Sequence, residues 1–296
     1  MSRNALQKTQ GLVRWTVYPF TMVLATVLFF QLKGLDGQFL AATVLPVWAS
    51  LALIAGAEWL IPYKEEWKPK LQDWKLDGLY VLFIQTLLPQ VLTWVAALFL
   101  YRLWLDSGHP IQSLWPHHWA IGWQELAVIL VSDFLRYWFH RLSHEWSVLW
   151  KLHAVHHSVL KMYWLNTSRF HPLEKSLQFM MDVFPFMLLG ISEEVIALHL
   201  VLYGVNGFFQ HCNADVRFGW LNYIISSTEL HRWHHSRLAK ESNHNYGNNV
   251  IIWDVLFGTF FWPVDRTVGD LGLTNPDYPK GFTAQIKAPF QSKIKV

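Results

Sequence analysis

GLYVLFIQTLLPQVLTWVAALFLY, residues 78–101, runs 24 residues without Asp, Glu, Lys or Arg. As a helix it would reach about 36 Å, more than the roughly 30 Å of a bilayer's hydrocarbon core. A helix of that length in a soluble core carries a polar stripe, and this one carries none. Two further charge-free windows precede it, 18 residues over Trp15 to Leu32 and 21 over Gly37 to Ala57. Pro46 and Pro89 fall inside two of the three windows, which transmembrane helices tolerate better than soluble ones. The reading is an all-α integral membrane protein.

Composition agrees. Of 296 residues 52% are hydrophobic and 15% charged, against about 25% charged in a soluble domain. Disorder and a charge-rich nucleic-acid arm are excluded, and a net charge of +3 implies no nucleic acid or other acidic polymer as partner. A single cysteine, Cys212, excludes an internal disulfide and any Cys-based zinc pattern.

A fourth span is expected over Trp119 to Phe139, although Glu125, Asp133 and Arg136 interrupt it. Ionisable groups inside a span are costly and flag function. Leu177 to Val205 is apolar but broken at Gly190, Ser192, Glu193 and Glu194, so a re-entrant or spanning helical hairpin is expected there. Arg3, Lys8 and Arg14 precede the first span, and Lys64, Lys68, Lys70 and Lys75 follow the second within a loop over 61–77. The positive-inside rule then makes the N-terminus, that loop and everything after the fourth span cytoplasmic. Trp15, Trp59, Trp104 and Trp119 suit interfacial anchors. Compact loops without retrieval signals point to a bacterial inner membrane rather than the endoplasmic reticulum.

Eight of the 15 histidines fall in three pentapeptides: His140-Arg-Leu-Ser-His144, His153-Ala-Val-His156-His157 and His231-Arg-Trp-His234-His235. Residues three and four apart share a helix face, so each pentapeptide is expected to aim its imidazoles at one point. Packing eight rings together without a cation would leave donors and acceptors unmatched, at a few kcal/mol each. Neutral imidazole suits Fe, Zn, Cu and Ni. Eight ligands exceed one zinc site and suffice for two metals with open positions. His199 reads as a hydrogen-bonded core residue, His109, His117 and His118 as outer-loop residues, and His244 as a loop residue.

Other metal patterns fail. No H-E-x-x-H occurs, and the Glu-x-x-His of carboxylate di-iron bundles appears once, at Glu241 to His244. The site is expected to be nitrogen-rich. Asp133, seven residues before His140, is the candidate to orient that ring; the alternative is that it pairs with Arg136 or Arg141.

The boxes resemble the fatty acid hydroxylase/sterol desaturase superfamily of membrane di-iron oxidases. The likeness covers roughly residues 126–262. It includes Asp133 to Arg141, Leu152 to Ser158, Arg169-Phe-His-Pro-Leu-Glu174, Gln210-His-Cys-Asn213, Leu230 to Ser236, Asn245-Tyr-Gly247 and Trp253 to Thr259. The resemblance implies two further ligands, His171 and His211. Ten imidazoles would then serve two irons, with zinc as a possible substitute and O2 as co-substrate. It also implies a histidine-rich helical cap on the cytoplasmic face, with 1–125 as anchor, 126–262 as di-iron region and 263–296 as tail of one unit. The activity implied is hydroxylation of an unactivated C–H bond in a membrane lipid, a fatty acyl chain, a sterol or a related lipid. Desaturation is the variant on the same scaffold. A divalent-metal transporter is the alternative of another class, disfavoured because the boxes gather beyond the span ends. No haem, dinucleotide or iron–sulfur motif accompanies the boxes, so an external donor is implied: a ferredoxin, rubredoxin, small cytochrome or reductase, with a pterin as a further option.

Overall fold

The computed structural model describes residues 3–35, 39–107 and 114–291. His109 lies outside them. Among the described residues the protein is helical and has no β-strand, only isolated bridges such as Pro62 to Ala214.

Three helices are long and apolar enough to cross a membrane: Gln7–Leu32, Leu40–Leu60 and Leu71–Asp106. The first is most of α1 (Arg3–Leu32) and the second is α2 (Leu40–Leu60). The third joins α3 (Leu71–Tyr80), a π-helical turn over Val81–Leu87 and α4 (Leu88–Ser107) into one rod. The 61–77 loop is therefore shorter than expected. Asp73 explains the early start, because its carboxylate accepts from Lys70 N at 2.6 Å and caps the new helix. Pro46 and Pro89 are both accommodated within helix. Trp15, Trp59, Trp104 and Trp119 are all exposed, as anchors at an interface would be.

Next comes α5 (Ile121–Glu145), a single helix whose hydropathy is diluted by its ionisable residues. Polar residues along most of the helix point inward: Gln124, Glu125, Asp133 and Arg136 are buried, while Trp123, Val131, Phe134 and Trp138 are exposed. Polar inside and apolar outside is the reverse of a soluble helix and fits a lipid surround. A break at Trp146, in extended conformation, redirects the chain into α6 (Ser147–His157).

The broken apolar region forms α7 (Pro172–Asp182), α8 (Phe184–Leu188) and α9 (Glu193–His211). The reversal falls at Gly190, whose φ of 75° is left-handed. Ser192 then caps α9 by accepting from Val195 N. Both limbs pack on α5, and α9 also packs on α1 and α2 around Phe29, Ile54, Val201 and Phe209. Short helices follow: α10 (Thr228–His234), α11 (Ala239–Ser242), α12 (Ile252–Phe257) and α13 (Phe282–Lys287). The last returns to α3, where Tyr80 Oη donates to Gln285 Oε1 at 2.7 Å.

Candidate metal centre

Nine of the ten expected ligands converge in two groups. His140, His144, His153, His157 and His234 form one, and His156, His211, His231 and His235 form the other. Within each group one nitrogen per ring lies within 4.8 Å of every other.

The pentapeptides do not each aim at one point, and helix geometry gives the reason. At about 100° per residue, positions four apart diverge by about 40°, and a position three away falls about 60° to the other side. The i, i+4 pairs 140/144, 153/157 and 231/235 therefore stay together, while His156 and His234 are delivered to the opposite group. Thus α6 and α10 each serve both groups, and the groups share a wall where the His157 and His235 rings stack at 4.6 Å.

The outer nitrogens settle the tautomers. His140 Nδ1 donates to Tyr246 O at 2.8 Å, His234 Nδ1 to His244 O at 2.9 Å and His156 Nδ1 to Arg169 O at 3.3 Å. A carbonyl can only accept, so each of these rings carries its proton on Nδ1 and turns a lone pair inward on Nε2. His153 Nδ1 meets Glu174 Oε1 at 2.6 Å, His144 Nδ1 meets Asn243 Oδ1 at 3.0 Å and His211 Nδ1 meets Asn166 Oδ1 at 2.8 Å. The inner atoms then face each other: His140 Nε2 to His153 Nε2 at 3.0 Å, and His157, His234, His231, His211, His235 and His156 in Nε2 contacts of 3.1 Å.

His140, His156 and His234 thus turn acceptor lone pairs onto neighbouring ring nitrogens. This is an arrangement that a shared cation relieves. His144 Nε2 is likewise buried without a partner. Nitrogens about 2.1 Å from one ion and at right angles stand about 3.0 Å apart, against about 3.4 Å for tetrahedral angles. The observed spacing fits five- or six-coordination with positions left open. Burial, and after it the neighbouring imidazoles, hold His156, His157, His231, His234 and His235 well below the ordinary imidazole value, so these rings are neutral near pH 7.

His171 is the ligand the structure does not bring in. Its Nδ1 accepts from Leu173 N at 3.2 Å, capping α7, and its Nε2 donates to Ile286 O at 3.0 Å, tying down α13. Asp133 fits neither expectation. It accepts from Asn249 N at 2.6 Å, from Asn249 Nδ2 at 2.9 Å and from Val250 N, and so pins the 245–250 loop. Arg136 pairs with Asp182 at 3.0 Å and Arg141 with Glu145 at 2.8 Å. Seven residues along a helix place Asp133 on the side of His140 but about 10 Å away along the axis, beyond hydrogen-bond reach. His199 is a hydrogen-bonded core residue, with Nδ1 3.0 Å from Glu125 Oε1. His117 and His118 lie exposed in a loop. His244 is a loop residue whose carbonyl, not its ring, serves the centre.

The loop carrying Tyr246 and His244 is held by Asp254, which accepts from Tyr246 N at 2.8 Å, Gly247 N at 2.7 Å and Thr259 Oγ1 at 2.7 Å. A Cβ on Gly247 would stand 2.3 Å from Val250 O, so only glycine fits there. On the membrane side Asp77 of α3, fully buried, accepts from Arg169 Nε at 2.8 Å and from Tyr163 Oη. That fixes the residue whose carbonyl orients His156. Glu174, Asn166 and Asn243 were not anticipated individually; Glu174 alone left a trace, as the last residue of the quoted Arg169–Glu174 match.

A cavity of about 50 Å³ reaches both groups, lined by His140, His153, His156 and His231 together with Phe139, Phe170 and Phe208. Gln85, on the π-helical turn, also lines it.

Long apolar helices and two imidazole groups opening on one cavity are the features of a membrane protein with a candidate metal centre. The fatty acid hydroxylase family profile matches residues 125–259. An ornithine lipid hydroxylase of Rhizobium tropici is 35% identical over 255 residues, 83% of this chain and 74% of that protein. An alkylglycerol monooxygenase of Danio rerio is 32% identical over 189 residues, 64% of this chain and 41% of that protein, so the chain spans less than half of it. A methylsterol monooxygenase of Arabidopsis thaliana is 26% identical over 157 residues, 52% of this chain and 57% of that protein. No solved structure matches the chain. The chain belongs to the fatty acid hydroxylase family and is an oxidoreductase.

Proposed function

We propose that the protein is a di-iron oxygenase that hydroxylates an unactivated C–H bond of a membrane lipid. The observation that carries this is the inward turn of the His140, His156 and His234 lone pairs, fixed by backbone carbonyls, into two groups of crowded imidazole nitrogens. His140, His144, His153, His157 and His234 would hold one ion, and His156, His211, His231 and His235 the other. When bound, the irons supply the redox chemistry that lets O2 and two external electrons convert a C–H bond to C–OH with release of water.

The chain's own share is orientation and exclusion. Backbone carbonyls, Glu174, Asn166 and Asn243 fix the imidazoles. Phe139, Phe170 and Phe208 wall the cavity against water and guide an apolar chain. The electrons would come from a separate donor, a ferredoxin, rubredoxin, small cytochrome or reductase, since the sequence carries no haem, dinucleotide or iron–sulfur motif.

In the membrane we take α5 as a fourth crossing, the α7–α9 hairpin as re-entrant, and α6 with 206–291 as the cap on the cytoplasmic face, where charged donors have access. Positive charge in the first half of α1 and after α2 supports that orientation. The anchor 1–125, the di-iron region 126–262 and the tail form one unit, supported by α13 packing back on α3 and His171. A desaturase on the same scaffold differs in where the second hydrogen is taken, and a putative sterol desaturase of Arabidopsis thaliana is 30% identical over half of this chain. A transporter is not favoured, because its ligands would sit along spans rather than at helix ends.

Comparative lipidomics of cells with and without the chain tests this. A product heavier by one oxygen is expected, and one lighter by two hydrogens would make it a desaturase. His156→Ala should abolish that product while the protein remains in the membrane fraction. Wild-type product levels in that variant would remove the histidine groups from the reaction.

A further inference from the structure

Among the polar groups on the cavity wall, Lys175 has no counter-charge. It lies in the first turns of α7, is 7% exposed, and lines the cavity that both histidine groups face. The carboxylates of Asp182, Glu174 and Glu125 each pair through one oxygen with Arg136, His153 and His199 and leave the other oxygen without a partner; none of them pairs with Lys175. Lys175 makes no ion pair among the described residues. Its Nζ instead rests against the rings of Phe170 and Tyr203, 5.6 and 5.7 Å from their centroids. Aromatic faces replace part of a lost hydration shell but accept no strong hydrogen bond. Its ammonium therefore has donors free to meet a group that enters the cavity.

Gln178, one turn further on α7 and 1% exposed, lines the same cavity. Its Nε2 donates to Glu174 Oε1 at 3.2 Å, and its Oε1 is buried without a partner. A cation without an ion pair and an acceptor without a partner thus line the same cavity.

We infer that Lys175 receives an anionic oxygen group, a carboxylate or phosphate, carried by the lipid substrate. Gln178 Oε1 accepts from a hydroxyl or amide N–H next to that group. The inference rests on the lipid oxygenase reading and adds the substrate's polar chemistry to it. Because Lys175 lines the same cavity as His140, His153, His156 and His231, the carbon offered to the histidine groups lies near the anion. Oxidation far along an acyl tail would leave Lys175 without its partner.

The test reads binding without turnover. Hexadecanoate, hexadecyl phosphate and hexadecanol share a chain and differ in the head. Equilibrium dialysis of each against the purified, metal-loaded protein in detergent, without O2, gives three dissociation constants. Wild type should bind one or both anions at least about tenfold more tightly than the alcohol, as a charge-assisted hydrogen bond provides. The larger of the two ratios identifies carboxylate or phosphate. Lys175→Met should lose the preference and keep both its alcohol binding and its metal content; Lys175→Arg should keep the preference. Equal binding of all three amphiphiles by wild type, or an intact preference in Lys175→Met, would overturn the assignment. Absence of an oxygenated product in cells would count against the oxygenase reading and leave this result untouched.

Discussion

In the five-histidine group, four rings direct Nδ1 to acceptors supplied by the 243–246 segment and by Glu174. In the four-histidine group only His156 and His211 do so. His231 and His235 there have Nδ1 atoms buried without a partner. Packing replaces hydrogen bonds: His156 stacks on Phe170 at 4.2 Å, and His235 stacks on His157. One group also has a carboxylate behind a ligand, which raises the basicity of the ring in front of it. The lesson is an asymmetry in one centre. On the proposed di-iron reading the five-histidine group is the one preorganised to hold a metal firmly, and the four-histidine group would leave more positions for exchangeable ligands and hold its metal less tightly.

The largest effects should come from removing a ring. His140→Ala and His231→Ala should each lower metal content from two per chain to one, measured by elemental analysis, and each should abolish product. If either variant loses both ions, the groups are not separable and the asymmetry fails. Next come the outer partners. Glu174→Gln should weaken the first metal by about 10–100-fold in chelator competition and leave the second unchanged. Asn166→Ala should act on the second metal alone and nearer the low end of that range, because a neutral amide polarises His211 less than a carboxylate polarises His153. Equal effects of the two variants on both metals would erase the distinction. The smallest effect is expected from His171→Ala. Both metals should stay, and stability should fall by about 1–3 kcal/mol as the α7 cap and the bond to Ile286 are lost. A missing metal in that variant would restore His171 as a ligand.

The long spans were legible because burial in lipid demands an unbroken apolar run, and residues 78–101 supply one. The histidine boxes were legible because imidazoles at spacings of three and four must meet on a helix face. How they divide was not read from the same spacing, although the opposite lean of i+3 and i+4 contains it. Asp133 misled because sharing a helix face is not proximity: two turns separate it from His140, and a loop over a hundred residues away claims its oxygens. His171 sits among residues that match the family, yet proline at the next position starts a helix and makes His171 its cap. The acceptors that orient His140, His156 and His234 are backbone carbonyls. They have no signature in side-chain chemistry, and only the folding of the 243–250 loop around Asp254 and of the 163–169 turn around Asp77 puts them in place.

Metal stoichiometry of the purified wild-type chain tests the central claim most directly. Quantified against protein by amino-acid analysis, it should give two transition-metal ions per chain, with iron in protein from iron-replete cells. A chain that retains its native fold with no tightly held ion, or with one, would contradict the paired-group account.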